Sequence, residues 1–431
     1  MNKQKGNIIA LFPLLVFVLL FVGSGAVTGD FSYMPLNIAI VIASAVALLM
    51  NRKEKLAAKI EVFAKGAGHP NIMLLVMIFI LAGAFAQTAE AMGAVEATVN
   101  MGLSFIPSSL LMVGLFIVGC FISISMGTSM GTVAALAPIG IGIAEQTGLP
   151  MALAMATVIG GAMFGDNLSM ISDTTIAAVR TQQTKMSDKF KVNFFIILPG
   201  VLATIIIIYF LSAGTSIDTL GDYSYDLVKV LPYIAVLVTA LIGVDVLIVL
   251  FGGTILAGMI GLADGSFTFT EFIQAVSQGI ISMEDLAIVA ILIGGMIGII
   301  QHNGGIQWLL NFVTSKIKSK KGAEFGIAGL VSVTDLATAN NTISIIVTGP
   351  LAKDIADEYD IDPRKSASLL DIFASCFQGL VPYGGQILVA SGLAAISPLS
   401  ILPYSIYPVM LGICGIIAIL TGFPRFKKKS V

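Results

Sequence analysis

Runs of about twenty apolar residues recur along this chain almost from end to end, the first being NIIALFPLLVFVLLFVGSG at residues 7–25. Twenty residues of α-helix match the hydrocarbon thickness of a bilayer, and in lipid a helix satisfies its own backbone amides. Composition agrees: 57% of the 431 residues are hydrophobic and 11% charged, where a soluble domain carries about 25% charged residues. A chain this apolar is not solvated as a globule. The expected fold is an all-α polytopic membrane protein of about ten transmembrane helices, one membrane domain with no soluble domain. The apolar start leads into a second span from Met34 without a small-residue cleavage site, so it reads as a span and not as a removed signal. A net charge of −2 holds no basic excess for nucleic acid. Cys120, Cys376 and Cys414 lie far apart and the only histidines are His69 and His302, so neither a disulfide framework nor a His-based metal cluster is expected.

The chain repeats itself weakly at an offset of 212 residues: Gly83 falls on Gly295, Gly93 on Gly305 and Pro138 on Pro350. One residue further, Pro150 meets Pro363, and SMISDTT from Ser169 meets PYGGQIL from Pro382. Two halves follow, 1–213 and 214–431. Short cytoplasmic loops gather Lys and Arg, and this bias makes the halves inverted. The basic stretches 51–66 and 180–191 flank an uncharged 102–109, whereas in the second half 315–321 is basic and 391–404 uncharged. Inverted halves are a mark of secondary transporters. Both termini, KQK and RFKKK, are then expected in the cytoplasm, across a bacterial cytoplasmic (inner) membrane. Loop 214–226 is expected outside, and so is 353–365, although it carries Lys353, Arg364 and Lys365 beside five acids.

Polar residues interrupt four of the oily runs. GDNLSMISDTT (165–175) lies in a stretch too short for two spans, so 151–179 is expected to be a re-entrant hairpin, with a second one at about 366–395. SISMGTSMGT (123–132) and TDLATANNT (334–342) break the preceding runs, with Asn340 and Asn341 on Thr128 and Ser129 in the repeat. Irregular backbone at membrane depth survives only inside protein or beside a watery cavity. The four breaks are therefore expected to converge on one central site.

MGTSMGT followed by GDNLSMISDTTIAA resembles the signature of NhaC-type sodium/proton antiporters, within the superfamily of inverted-repeat ion transporters, and the order of spans and breaks agrees over most of the chain. The resemblance implies Na⁺/H⁺ exchange by alternating access, with no cofactor beyond the coupling ions Na⁺ and H⁺. In the second half Asp371 keeps the family's acid, but VPYGGQ replaces its Pro-Trp-Asn type element. Related carriers move organic acids or amino acids, so Na⁺- or H⁺-coupled transport of an amino acid or small carboxylate is the alternative.

Carboxylates at membrane depth are costly and usually face a cavity or a partner. Asp166 and Asp173 are the expected coupling groups, since one carboxylate that takes either Na⁺ or H⁺ couples the two ions; their structural role would be to cap a half-helix. Hard sodium prefers oxygen ligands. Asn167, Ser169, Ser172, Thr174, Thr128, Ser129, Thr132, Asn340, Asn341 and Thr342 supply them, with Na⁺ expected at Asp173, Thr128, Ser129 and Asn340. The same hydroxyls and amides would otherwise serve ordinary helix–helix hydrogen bonding. Asp335 is a second cavity carboxylate, Asp371 either couples or holds a hairpin arm to the scaffold, and Gln378, Tyr383 and Gln386 would suit an organic solute. Arg180 belongs to the charge belt and His302 to the interface. The chain has no Gly-x-Gly-Asp to partner the FGD at 164–166, as an intramembrane aspartyl protease would need, and no Walker loop, so no enzymatic activity is expected. A homodimer would give a moving element a fixed scaffold.

Overall fold

The computed structural model describes residues 6–424 apart from 25–33, 106, 170–171, 214–223, 243 and 316. The basic termini and most of the acidic loop 214–226 lie outside the described residues. What is described is helical, with no strand among the described residues. Five stretches are long and apolar enough to cross a bilayer: Ile72–Ala91, Met151–Gln182, Met186–Ser212, Val246–Asp264 and Phe269–His302. The molecule is apolar on its outside, and it buries a set of polar side chains within its apolar core. Phe195, Leu202, Ile206 and Phe210 are exposed along one long helix and Ile248, Phe251, Ile255 and Met259 along another, while Asp166, Lys189, Asp335, Asp371 and Gln386 are buried. A lipid solvent selects that arrangement.

The centre and its frame use α1 (Leu56–Ala67), α2 (Pro70–Ala91), α3 (Ser108–Met126), α4 (Ser129–Thr147), α5 (Met151–Leu168), α6 (Asp173–Gln182) and α7 (Met186–Ser212). In the second half come α8 (Phe269–Ser282), α9 (Glu284–His302), α10 (Lys320–Thr338), α11 (Asn341–Glu358), α12 (Pro363–Gln378) and α13 (Gly385–Leu393).

The hairpins fall one element earlier than the sequence suggests. α5 lies alongside α3 in parallel, Gly161 against Phe116 and Gly165 against Ser123. It is antiparallel to α4, with Gly140 near Met155 and Ser129 beside Asp166. α3 and α4 are therefore the antiparallel arms, 108–147, and their tip is Gly127–Thr128. The second pair is α10 and α11, 320–358, with its tip at Ala339–Asn340 and its base closed by Lys320 donating to the Asp360 carbonyl. The stretches 151–179 and 366–395 are broken helices instead. α5 and α6 count as one crossing stretch, Met151–Gln182, and α6 runs on along α11, from Asp173 beside Thr342 to Gln182 beside Gly349. Likewise α13 leaves α12 to pack along α4, with Gly385 on Met130 and Gln386 on Ser129. Length alone misled the expectation, because 29 residues fit a short hairpin as well as a crossing interrupted by an unwound centre.

The shift also moves loop 353–365. Lys185, Asp188, Lys320, Asp357, Asp362, Arg364 and Lys365 line one vestibule of about 1270 Å³. The loop therefore joins the basic segments 180–191 and 315–321 at one end of the molecule, rather than lying opposite them.

The frame is built crosswise: α1 packs on α9 and α8 on α2. Glycines permit it, since a Cβ on Gly66 would overlap the main chain of Gly294, and one on Gly279 that of Gly83. The amphipathic stretches 57–65 and 269–278 form these outer helices. α8 opens with a capping box between Thr268 and Glu271, which satisfies two of its free amide groups.

Candidate functional site

The four breaks meet around Asp166, in the last turn of α5. Its Oδ2 accepts a hydrogen bond from Ser129 Oγ at 2.7 Å and another from Asn341 Nδ2 at 3.2 Å. Ser129 and Asn341 are the first residues of α4 and α11, so one carboxylate oxygen ties the tips of both hairpins together. Two helix N-termini aimed at one carboxylate also stabilise negative charge through their dipoles. The chain of contacts continues outward. Gln386 Nε2 donates to Ser129 Oγ at 2.9 Å, and Gln378 Nε2 donates to Gln386 Oε1 at 2.8 Å and to the Ala339 carbonyl at 3.3 Å. All of these side chains are buried.

Asp173 is the first residue of α6 and is exposed at the break. Its Oδ2 accepts from Thr342 Oγ1 at 2.7 Å and its Oδ1 from the Thr174 amide at 2.9 Å. The two first-half aspartates are thus held by adjacent second-half residues, Asn341 and Thr342.

The expected sodium set of Asp173, Thr128, Ser129 and Asn340 is divided among different hydrogen-bond partners. Ser129 belongs to Asp166. Asn340 caps α11 by accepting from the Ile343 amide at 2.8 Å, and Thr128 offers its carbonyl to Thr132 Oγ1 at 2.9 Å. The Asn340 side chain is turned back onto its own helix end, which spacing in the sequence does not reveal.

Several expected ligands serve the break itself. The last carbonyls of a helix lack intrahelical partners. The Asp166 carbonyl accepts from Thr174 Oγ1 at 2.8 Å and Thr175 Oγ1 at 3.0 Å. Ser172 and Thr174 share a 2.8 Å hydroxyl contact, and Ser169 Oγ donates to the Ile124 carbonyl at 2.6 Å. Asn167 Nδ2 donates to the Met163 carbonyl at 3.1 Å. Tyr383 Oη donates to the Leu336 carbonyl at 2.6 Å. These contacts hold the broken segments in shape.

Lys189, counted by the sequence reading in a solvated basic loop, is fully buried. Its Nζ donates to Asp371 Oδ2 at 2.6 Å, Thr175 Oγ1 at 2.7 Å and the Asn167 carbonyl at 2.8 Å. Asn193 Nδ2 donates to the same Asp371 oxygen at 2.8 Å and the same carbonyl at 2.9 Å. A signal was available: Lys189 and Asn193 stand four apart, on the α7 face that buries Val192, Ile196 and Ile197. Asp371, on α12, therefore holds the two halves together. Asp335 stands apart from the Asp166 cluster, buried in the last turn of α10. Neither of its carboxylate oxygens has a hydrogen-bond partner of normal geometry; the Ser344 hydroxyl beside it is engaged on the Asn341 carbonyl at 2.8 Å. His302 lies at the surface, 3.1 Å from Glu54, and Arg180 is exposed. Among the described residues no three His, Cys, Asp or Glu side chains form a metal cluster. The oxygens available to a cation are carboxylate, hydroxyl, amide and carbonyl.

The profile of the Na⁺/H⁺ antiporter family matches residues 7–215 and 222–424. The chain belongs to that family. It is similar, at 27% identity and with 91% of this chain and 92% of the relative covered, to the Na⁺/H⁺ antiporter NhaC of Bacillus subtilis. The malate-2H⁺/Na⁺-lactate antiporter of the same species is 23% identical, with 91% of each covered. The arginine/ornithine antiporter ArcD of Halobacterium salinarum is 22% identical, with 83% of this chain and 80% of the relative covered. Among solved structures, the Alcanivorax borkumensis YdaH transporter aligns at 13% identity with a TM-score of 0.42, covering 96% of this chain and 99% of that one. Family membership makes this chain a multi-pass membrane protein and a secondary transporter, not an enzyme.

Proposed function

We propose that the chain exchanges Na⁺ for H⁺ by alternating access, the two ions competing for Asp166 with Asp173 at the entrance to the same break. The observation that carries this reading is the sharing of Asp166 Oδ2 by Ser129 and Asn341, one from each hairpin tip. Among the described residues no Lys, Arg or His forms an ion pair with Asp166 or Asp173. A carboxylate with hydroxyl and amide neighbours but no resident cation takes either a proton or a hard monovalent ion. Loading either one changes what the hairpin tips bind, and so biases which tip opens. In this reading the halves are inverted and the two hairpin bases lie at opposite faces. The vestibule around Lys320 and Arg364 is on the cytoplasmic side of a bacterial inner membrane, and the termini lie there too.

A second reading, coupled transport of an amino acid or small carboxylate, is favoured by the amides. Asn341, Gln378 and Gln386 lie within one hydrogen-bonded chain from Asp166, more polarity than a bare ion needs. Relatives named for malate–lactate and arginine–ornithine exchange support it.

Proteoliposomes with a trapped pH dye separate the two. Proton flux driven by a Na⁺ gradient alone, lost in Asp166→Asn, is the expected result. Silence until a carboxylate or amino acid is added would replace the first reading by the second.

A further inference from the structure

The surroundings of Lys189 resemble a binding site more than a salt bridge. Its ammonium touches three oxygens on three elements: the Asn167 carbonyl at the end of α5, the Thr175 hydroxyl on α6 and the Asp371 carboxylate on α12. The carbonyl is one freed by a helix break, where the negative end of the helix dipole favours a cation. Asn193 binds two of the same oxygens as a neutral donor, so among the described residues Lys189 supplies the only positive charge in contact with them. No cation stands at the repeat-related position, which is Leu402. A cation at this depth is therefore a property of the first half and not a requirement of the fold.

We propose that the Lys189 ammonium is a tethered occupant of a monovalent-cation site, standing at the first-half break where a dissociable ion would otherwise bind. Oxygens 2.6–2.8 Å from the nitrogen give the spacing of an ammonium or potassium ion. Because the occupant is fixed to α7, this break keeps its charge while the transporter is empty, and the exchangeable ions are left to Asp166. The inference does not depend on which solute is carried.

Removing the side chain should turn the tethered site into an open one. Full-length Lys189→Ala, in an Asp166→Asn background so that the proposed cargo site is silent, is purified in detergent. It is melted in ammonium, potassium, sodium or choline chloride at equal ionic strength. Expected is a saturable rise in melting temperature on the order of 5 °C in ammonium or potassium, smaller in sodium and absent in choline, with the Asp166→Asn parent indifferent. Equal melting in all four salts overturns the proposal, and so does a protein that cannot be recovered folded in any of them. As a second variant, Lys189→Gln/Asp371→Asn keeps the shape without the charge and should melt alike in every salt. A cation response there equal to that of Lys189→Ala would place the effect elsewhere and overturn the assignment.

Discussion

Gly127 and Ala339, 212 residues apart, occupy the same left-handed backbone position at the two hairpin tips, with φ of 70° and 50°. Each is followed by an extended residue, Thr128 or Asn340, that opens the next helix. The left-handed region costs a residue with a Cβ about 1–2 kcal/mol, and glycine almost nothing. Ala339→Gly is therefore expected to raise stability by up to about 1 kcal/mol and Gly127→Ala to lower it by about 1–2 kcal/mol. Thermal melting of the purified variants checks both signs, and a loss in each would refute the strain argument.

Gly165 is a second sensitive position, for a different reason. A Cβ there would overlap the Ser123 main chain, pushing α5 away from α3 just where Asp166 has to reach Ser129. Overpacking of this kind costs about 1–3 kcal/mol. Gly165→Ala should lower the melting temperature and also abolish transport, whereas a fully active variant would mean that α5 can shift without harm.

Asp335 and Asp371 are both buried acids on second-half helices, yet their replacement should differ. Asp371→Asn strands the Lys189 charge, which costs about 3–5 kcal/mol for a buried pair. Asp335→Asn removes no hydrogen bond and should stay within about 1 kcal/mol of the parent. Equal melting temperatures for the two variants would contradict the contacts described.

Asp166→Asn should fold, since an amide can still accept from Ser129. The pH dependence of its transport should be flattened, because the group that exchanges a proton is gone. Flux measured across a series of external pH values tests this; an unchanged profile at lowered rate would move the coupling proton to Asp173 or Asp335.

Sidedness can be checked by labelling. In a cysteine-free background, Lys185→Cys and Asp357→Cys should react with an impermeant maleimide from the same side of the membrane, and Glu145→Cys from the other. Reaction of all three from one side would rule out hairpin bases at opposite faces.

Much of this was legible in the sequence. Apolar runs gave the class, and the repeat aligned Asn340 and Asn341 with Thr128 and Ser129, which do stand at matching tips. Direction was not legible. Whether 151–179 turns back or crosses depends on what its second piece packs against, and α6 finds its partner in α11, 167–169 residues away. Lys189 was misread for a related reason. Its neighbours Lys185 and Lys191 mark a solvated loop, and only the tertiary meeting with Asp371 makes burial of the third lysine tolerable. Cap geometry likewise turns the Asn340 amide onto its own helix while Ser129 reaches Asp166.

The crossed glycines Gly66–Gly294 and Gly83–Gly279 have one more consequence. Each half offers the other the same pair of surfaces, so the contact is made twice, as in an isologous interface between identical subunits. The chain is in that sense a dimer that carries both of its subunits, and a half expressed alone would present an unpaired surface complementary to a second copy of itself.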